Sequence, residues 1–342
     1  MPSERELIAA IRRQCPDQLG EVVKGIGDDC AVLRPEGAAR LTLLTVDTLV
    51  ESVHFDRAWH PPELLGRKAA AVNLSDIAAM GGEPRFALLS LALPPELASG
   101  WVEQFMVGFL AALHEHGVVL IGGDTVKSGA EAVFTVTLLG EVWPGQVLYR
   151  SSARPGELVW ISGTVGDAAA GLHLCRQGRA EGEASWATLV KAHLNPTPEV
   201  ALGRLLAASG LVGAMMDTSD GLATDLAHLC AESGVGAEIE AAALPFSPAL
   251  REVAKLFKID PLDWGLKGGE DFRLLFTSAP EHGPELQALV RARAQRELYC
   301  IGRIVANRGV RLLAPEGAQE IAYRGYDHFA AYTARVIAVS AR

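Results

Sequence analysis

In the amino-terminal half, the period of the apolar positions switches between two and about three and a half. "ERELIAAIRR" repeats its apolar residues every three to four positions, which predicts a short amphipathic helix, whereas "RLTLLTVDTLV" predicts a strand. "PPELLGRKAAAVNLSDIAAMGG" predicts a helix entered at proline and left at a glycine pair. A strand "RFALLSLALP", a long helix "PELASGWVEQFMVGFLAALHEHG" and the strands "VVLIGG" and "AVFTVTLLGEV" follow.

The polar, Pro- and Gly-containing stretch "SSARPGE" at 151–157 resets this pattern and is the expected boundary between domains at 1–150 and 151–342. Beyond it come a strand "LVWISG", a Gly-led helix "GDAAAGLHLCRQG", a helix near 199–209, a strand ending in "MMD" and a helix "GLATDLAHLCAESG". The strands "GAEIEA", "FRLLFTS" and "LYCIGRIV" complete an α/β or α+β reading of both halves. The segment 178–190 is expected to be a mobile connection.

Composition narrows the class. With 342 residues, 49% hydrophobic and 21% charged, the chain is expected to fold as two globular domains. No apolar run approaches the ~18 residues of a membrane span and no leader pattern is evident, so a cytoplasmic protein is expected. Five cysteines without CxxC spacing read as reduced thiols rather than a zinc site. A net charge of -10 argues against nucleic acid as a partner. Such a protein can still take an anionic substrate if divalent cations stand between the two.

The acids point the same way. "GIGDD" (Asp28, Asp29), "TVDT" (Asp47), "NLSD" (Asp76), "GGDT" (Asp124), "DTSDG" (Asp217, Asp220) and "GGED" (Glu270, Asp271) each set Asp or Glu among Gly, Ser or Thr at the end of an apolar run. Singly, Asp47 or Asp217 reads as a turn or helix cap. Asp76, however, lies among Ala, Val, Leu, Ile and Met, where a solvated helix face would carry several charges, and Asn73 shares its face. Many hard oxygen donors without a His–Cys cluster suit Mg²⁺ or Mn²⁺, which complete their shells with water and phosphate. The sequence has no GK dipeptide, no HRD or DFG set and no GxGxxG, so a nucleotide needs a site of another design.

Seven motifs in order, "GIGDDCAVL", "VDTLVESVHF", "AVNLSDIAAMGG", "LIGGDT", "DTSDGLATDL", "GGEDF" and "YRGYDHF", span residues 25 to 329 and resemble the thiamine-monophosphate kinase family, within the aminoimidazole ribonucleotide synthetase superfamily. The resemblance implies ATP-dependent phosphorylation of thiamine monophosphate to thiamine diphosphate in thiamine biosynthesis, with several Mg²⁺ ions. It implies a homodimer in which amino-terminal sheets pair across the interface, with the carboxyl-terminal α/β domain completing the active site. It assigns Asp29, Asp47, Asp76, Asp124, Asp217 and Asp220 as magnesium ligands, flanked by Thr45 and Val46, with Asp47, Asp124 and Asp217 central to catalysis. Gly123, Asp124, Arg150 and Ser219 match ATP-contacting positions, and His54, Glu270 and Tyr326 match positions that hold thiamine monophosphate. Val46 replaces a hydroxyl residue, Ser52 a glycine, and Phe272 and Arg273 the usual Tyr and Glu. The alternative within the superfamily is another ATP-dependent synthetase.

Overall fold

The computed structural model describes residues 2–15, 20–179 and 183–329. The first sheet is six-stranded, in the order β1 (Val22–Lys24), β2 (Ala31–Leu33), β3 (Leu41–Val50), β6 (Val133–Val142), β4 (Glu83–Leu93), β5 (Val119–Lys127). Only β4 and β5 run parallel in it, and α3 (Ser99–Glu115) makes their crossover. The alternation of β6, in which every second residue is buried, and of β3, in which Leu41, Leu43, Thr45 and Leu49 are, turns one face of this sheet onto α2 (Pro62–Ala79).

α2 is buried on nearly all sides. Its close approach to α3 depends on two glycines: a Cβ on Gly66 would lie 2.0 Å from the Phe105 carbonyl oxygen, and one on Gly108 1.8 Å from that of Glu63. The other side of α2 meets α6 (Val200–Ser209) and the strand β8 (Met215–Asp217). The largest apolar cluster therefore runs from Leu43 and Leu138 in the first sheet through Leu74 and Ile77 of α2 to Leu206, Met215 and Phe276.

The second sheet has seven strands in the order β13 (Gly317–Glu320), β12 (Gly309–Ala314), β9 (Gly236–Glu240), β11 (Tyr299–Val305), β7 (Leu158–Ile161), β10 (Leu274–Ser278), β8. α7 (Leu222–Ser233) packs on it through Leu226 and Leu229. The sheet-and-helix architecture agrees with the α/β or α+β reading.

The segment 178–190 differs from expectation. Residues 180–182 lie outside the described residues, but α5 (Ala184–Leu194) occupies most of the remainder, docked by Leu189 and Val190 against α4 (Asp167–Arg176). α5 closely approaches Gly171 of α4. Residues 330–342, at the end of the expected second domain, are likewise outside the described part. Among the described residues no helix is long and apolar enough to cross a membrane.

Candidate active site

Four segments bring the acids together. The bend between β1 and β2 carries Asp28 and Asp29, β3 carries Thr45, Val46 and Asp47, α2 supplies Asp76, and β8 ends at Asp217 with Ser219 and Asp220 in the turn beyond. All of these residues line one cleft of about 970 Å³. Carboxylate oxygens of Asp29, Asp76 and Asp217 lie within 4.8 Å of one another, close enough to share a metal ion. Each is aimed by a neighbour. Thr45 Oγ1 donates to Asp76 Oδ2 (2.5 Å), Ser75 Oγ donates to Asp217 Oδ2 (2.5 Å), and Arg150 donates to both oxygens of Asp29 through Nη2 (2.5 Å) and Nε (3.1 Å). Arg150 is fixed in turn, its amide donating to Asp28 and its carbonyl accepting from Ser233 Oγ.

The Arg150 guanidinium on Asp29 and the Lys24 ammonium 3.5 Å from Asp28 do not balance this many acids. Burial pushes Asp47 up to about 6, with Asp29 adding to it, and Asp217 up to about 8, again with Asp29 adding. Asp220 rises to about 7 and Asp76 well above the carboxylate range, burial being the leading cause in both. A divalent cation would relieve this repulsion, and the all-oxygen donor set suits a hard ion.

Another part of the cleft lining is His54, Glu270 and Tyr326. His54 sits in the turn that follows β3; its Nδ1 accepts from the Val50 amide (3.0 Å), and burial lowers its pKa. It therefore stands as the neutral Nε2–H tautomer. His328 stands between His54 (ring centroids 5.0 Å) and Tyr326 (4.9 Å). Glu270 is held through its amide by the Ser219 carbonyl (2.8 Å), and the Tyr326 amide donates to the Asp220 carbonyl (2.9 Å). The backbone turns that present acids at one end are thus tied to those that present Glu270 and Tyr326 at the other.

Gly123 and Asp124 fall elsewhere. They lie on β5, the edge strand of the first sheet, and do not line the cleft. Gly123 pairs with Leu89, Leu89 with Val136 and Val136 with Asp47, so three strand spacings, about 14 Å, separate Gly123 from Asp47. A Cβ at Gly123 would meet the Leu89 carbonyl at 1.8 Å, so β4 already requires this glycine. Asp271 also turns away, accepting from the amides of Gly166 and Ala168 at the start of α4. Asn73 is buried and bonds back to the Ala69 carbonyl without lining the cleft.

The sequence departures have structural settings. Ser52 lies at φ 65° and Phe272 at φ 48°, left-handed backbone that favours glycine. Arg273 pairs with the buried Glu199 (3.1 Å), which also holds Arg296. Sequence reasoning missed Lys68, His193 and His328, the first two of which contact Glu270. The one signal for Lys68 was its place at the head of the uncharged, largely apolar run from Ala69 to Ser75.

Residues 27–142 match the family "AIR synthase related protein, N-terminal domain", and 154–314 match its C-terminal domain. The thiamine-monophosphate kinase of Escherichia coli K12 is 38% identical to this chain over 91% of it and 93% of the relative. That of Bacillus subtilis is 39% identical over 75% and 78%. Among solved structures, "AaThiL complexed with AMPPCP and TMP" superposes with a TM-score of 0.83 at 35% identity, covering 96% of this chain and 97% of that one. The thiamine-monophosphate kinase of Stenotrophomonas maltophilia gives 0.75 at 39% identity, over 90% and 94%. The hydrogenase maturation protein HypE of Escherichia coli, at 22% identity and a TM-score of 0.67, shares the fold. The chain belongs to the AIR synthase related family and, within it, to the thiamine-monophosphate kinases.

Proposed function

We propose that this protein transfers the γ-phosphoryl group of ATP directly to the phosphate of thiamine monophosphate, yielding thiamine diphosphate. The observation that carries the site assignment is the convergence of Asp29, Asp76 and Asp217 in a cleft that His54, Glu270 and Tyr326 also line. The kinase relatives, and a neighbour solved with an ATP analogue and thiamine monophosphate, support the reaction.

Asp29, Asp76 and Asp217, with Asp47, Asp220, Thr45 and the backbone carbonyl of Val46, would hold the magnesium ions. Bound there, Mg²⁺ would neutralise charge on the triphosphate and the acceptor phosphate. The chain's own groups do the rest. Arg150, turned into the cleft between Asp28 and Asp29, offers a second source of positive charge to the phosphates, and Ser219 offers its hydroxyl. His54 donates through Nε2–H, Glu270 accepts, and Tyr326 offers a ring face to the thiamine cation. The acceptor is a phosphate already ionised near neutral pH, so alignment of two oxygens matters more than a general base.

Gly123 and Asp124 belong to a second element of the proposal, a homodimer. The face of the first sheet turned away from α2 exposes Val46, Phe86, Leu88, Val119 and Val126 in neighbouring rows, with Asp124 among them. Pairing of two such faces would cover this patch, and nucleotide contact by Gly123 and Asp124 then depends on that pairing.

The deciding experiment incubates the protein with MgATP and thiamine monophosphate and looks for thiamine diphosphate, with and without chelator. Product formed at full rate in chelator overturns the metal assignment. A Leu88→Glu variant should sediment as a monomer with reduced turnover; an unchanged dimer removes this face from the interface.

A further inference from the structure

Glu270 reaches the cleft from a backbone at φ 71°, a conformation a non-glycine residue adopts at a cost. Two groups behind it take one carboxylate oxygen each: Lys68 Nζ lies 2.6 Å from Oε1 and His193 Nδ1 lies 3.0 Å from Oε2. Lys68 rises from α2 and is wholly buried, and His193, near the end of α5, is 1% exposed. Among the described residues Glu270 is the only ion-pair partner of Lys68. Packing alone does not call for a lysine there. An ammonium buried in an apolar helix interface costs several kcal/mol unless a charge compensates it, and a methionine would fill the same space. Lys68 does not line the cleft, so it reaches substrate only through Glu270.

We propose that Lys68 and His193 are positioning residues that clamp Glu270 as a carboxylate turned to the cleft, where it accepts a hydrogen bond from the amino-substituted ring of thiamine monophosphate. The proposal rests on Glu270 being a substrate contact. Burial on its own raises the Glu270 pKa, and Lys68 and His193 together reverse that and hold it below the usual carboxylate range. Burial, followed by the nearby Lys68 ammonium, lowers the His193 pKa, so a neutral ring sets its Nδ1 3.0 Å from Glu270 Oε2. The clamp thus carries one positive charge against one negative, and the Glu270 carboxylate acts on substrate as an oriented acceptor rather than a free ion. Other charged or titratable groups around this end include His54 after β3 with His328 and Tyr326 beside it, His60 ahead of α2, Cys175 and Arg176 of α4, and Lys267. His60 is kept neutral by burial, at about 3, its Nε2 donating to the Leu194 carbonyl.

The test compares Glu270→Gln, Lys68→Met, His193→Ala and His193→Gln, each assayed for KM of both substrates, for kcat and for thermal unfolding. Glu270→Gln and Lys68→Met should each raise KM for thiamine monophosphate about tenfold or more, with KM for ATP within about twofold. His193→Ala should do the same, and His193→Gln, which keeps an N–H donor, should recover most of the loss. In Lys68→Met the acid limb of kcat/KM for thiamine monophosphate should move up by more than about one pH unit, a change that loss of packing would not produce. No effect of Glu270→Gln removes Glu270 as a substrate contact. An effect there, with none from Lys68→Met or His193→Ala, overturns the clamp alone. Equal rises for both substrates in folded variants also overturn it. Should Lys68→Met fail to fold, the His193→Ala and His193→Gln pair decides.

Discussion

At one end of the cleft, carboxylates of Asp29, Asp76 and Asp217 crowd within 4.8 Å, and the ammonium or guanidinium in contact with them is Arg150 on Asp29. At the other end a single carboxylate, Glu270, has an ammonium on one oxygen and an imidazole on the other. The consequences for protonation are opposite. Burial and mutual repulsion raise Asp76 and Asp217, while Lys68 and His193 overcome burial to lower Glu270. An end that compensates its own charge is finished when the chain folds, and an end that does not suits the cation proposed above to neutralise it.

Removing a carboxylate should therefore matter most at the acid end. Asp217→Asn keeps an oxygen to accept from Ser75 and should fold normally, yet kcat should fall at least about a hundredfold, equivalent to about 3 kcal/mol of transition-state stabilisation. Asp47→Asn should behave alike. A folded variant with kcat within threefold of the parent would show that the acid end does not handle phosphate charge.

The same contrast predicts how metal and pH act on stability. A carboxyl whose folded pKa lies above its unfolded value of about 4 binds more protons folded than unfolded. Without metal, stability should fall as pH rises from about 4 through the values of Asp47 (about 6), Asp220 (about 7) and Asp217 (about 8). Millimolar Mg²⁺ should then raise Tm by several degrees more at pH 8 than at pH 5, because at pH 5 protons already neutralise the cluster. Glu270, lowered rather than raised, contributes nothing of this sign. Equal increments at the two pH values would mean that the acids are not repelling one another in the free protein.

The two ends also differ in how far the sequence disclosed them. The acids were legible because each sits beside Gly, Ser or Thr where an apolar run stops, and the runs of β3, α2, β4 and β6 are long enough to declare their period. Asp124 carries the same signature and yet stands on an exposed edge strand, since the pattern records a strand and not which row or face of the sheet meets the cleft. The clamp was illegible: Lys68 and Glu270 are far apart in sequence, and a lysine in an apolar helix also reads as one whose head reaches solvent. The periodic reading also omits α8 (Pro248–Phe257), α9 (Pro261–Lys267), α10 (Gly283–Ala294) and the β12–β13 hairpin. The first two of these are short helices whose starts are fixed by Ser247 and Asp260 caps, local signals that an apolar count passes over.

A smaller effect tests the aromatic wall beside the clamp. Tyr326→Ala should raise KM for thiamine monophosphate about two- to thirtyfold, the range expected from stacking on a cationic ring at about 0.5–2 kcal/mol, and leave KM for ATP nearly unchanged. His328 stays beside His54 in that variant and keeps part of the wall, which places the expectation toward the lower end. A matching rise for ATP would show that the ring does not act on the thiamine side alone.

The smallest effect lies between the two ends, at Ser52 in the turn that carries the chain from Asp47 to His54. Its φ of 65° is left-handed, and Glu51 ahead of it and Phe55 beyond it form an isolated bridge that fixes the turn. A side chain there strains the folded backbone, whereas glycine adopts this φ freely but gains more entropy on unfolding. The strain relieved is about 1–2 kcal/mol and the entropy lost about 0.5–1 kcal/mol, so Ser52→Gly should stabilise the protein by about 0.5–1 kcal/mol. Denaturant unfolding at fixed m-value measures this directly. Because the Ser52 side chain makes no hydrogen bond among the described residues, both KM values should stay within about twofold of the parent. A loss of stability would show that the Ser52 hydroxyl contributes more than its backbone costs. A change in one KM alone would show which end of the cleft this turn positions.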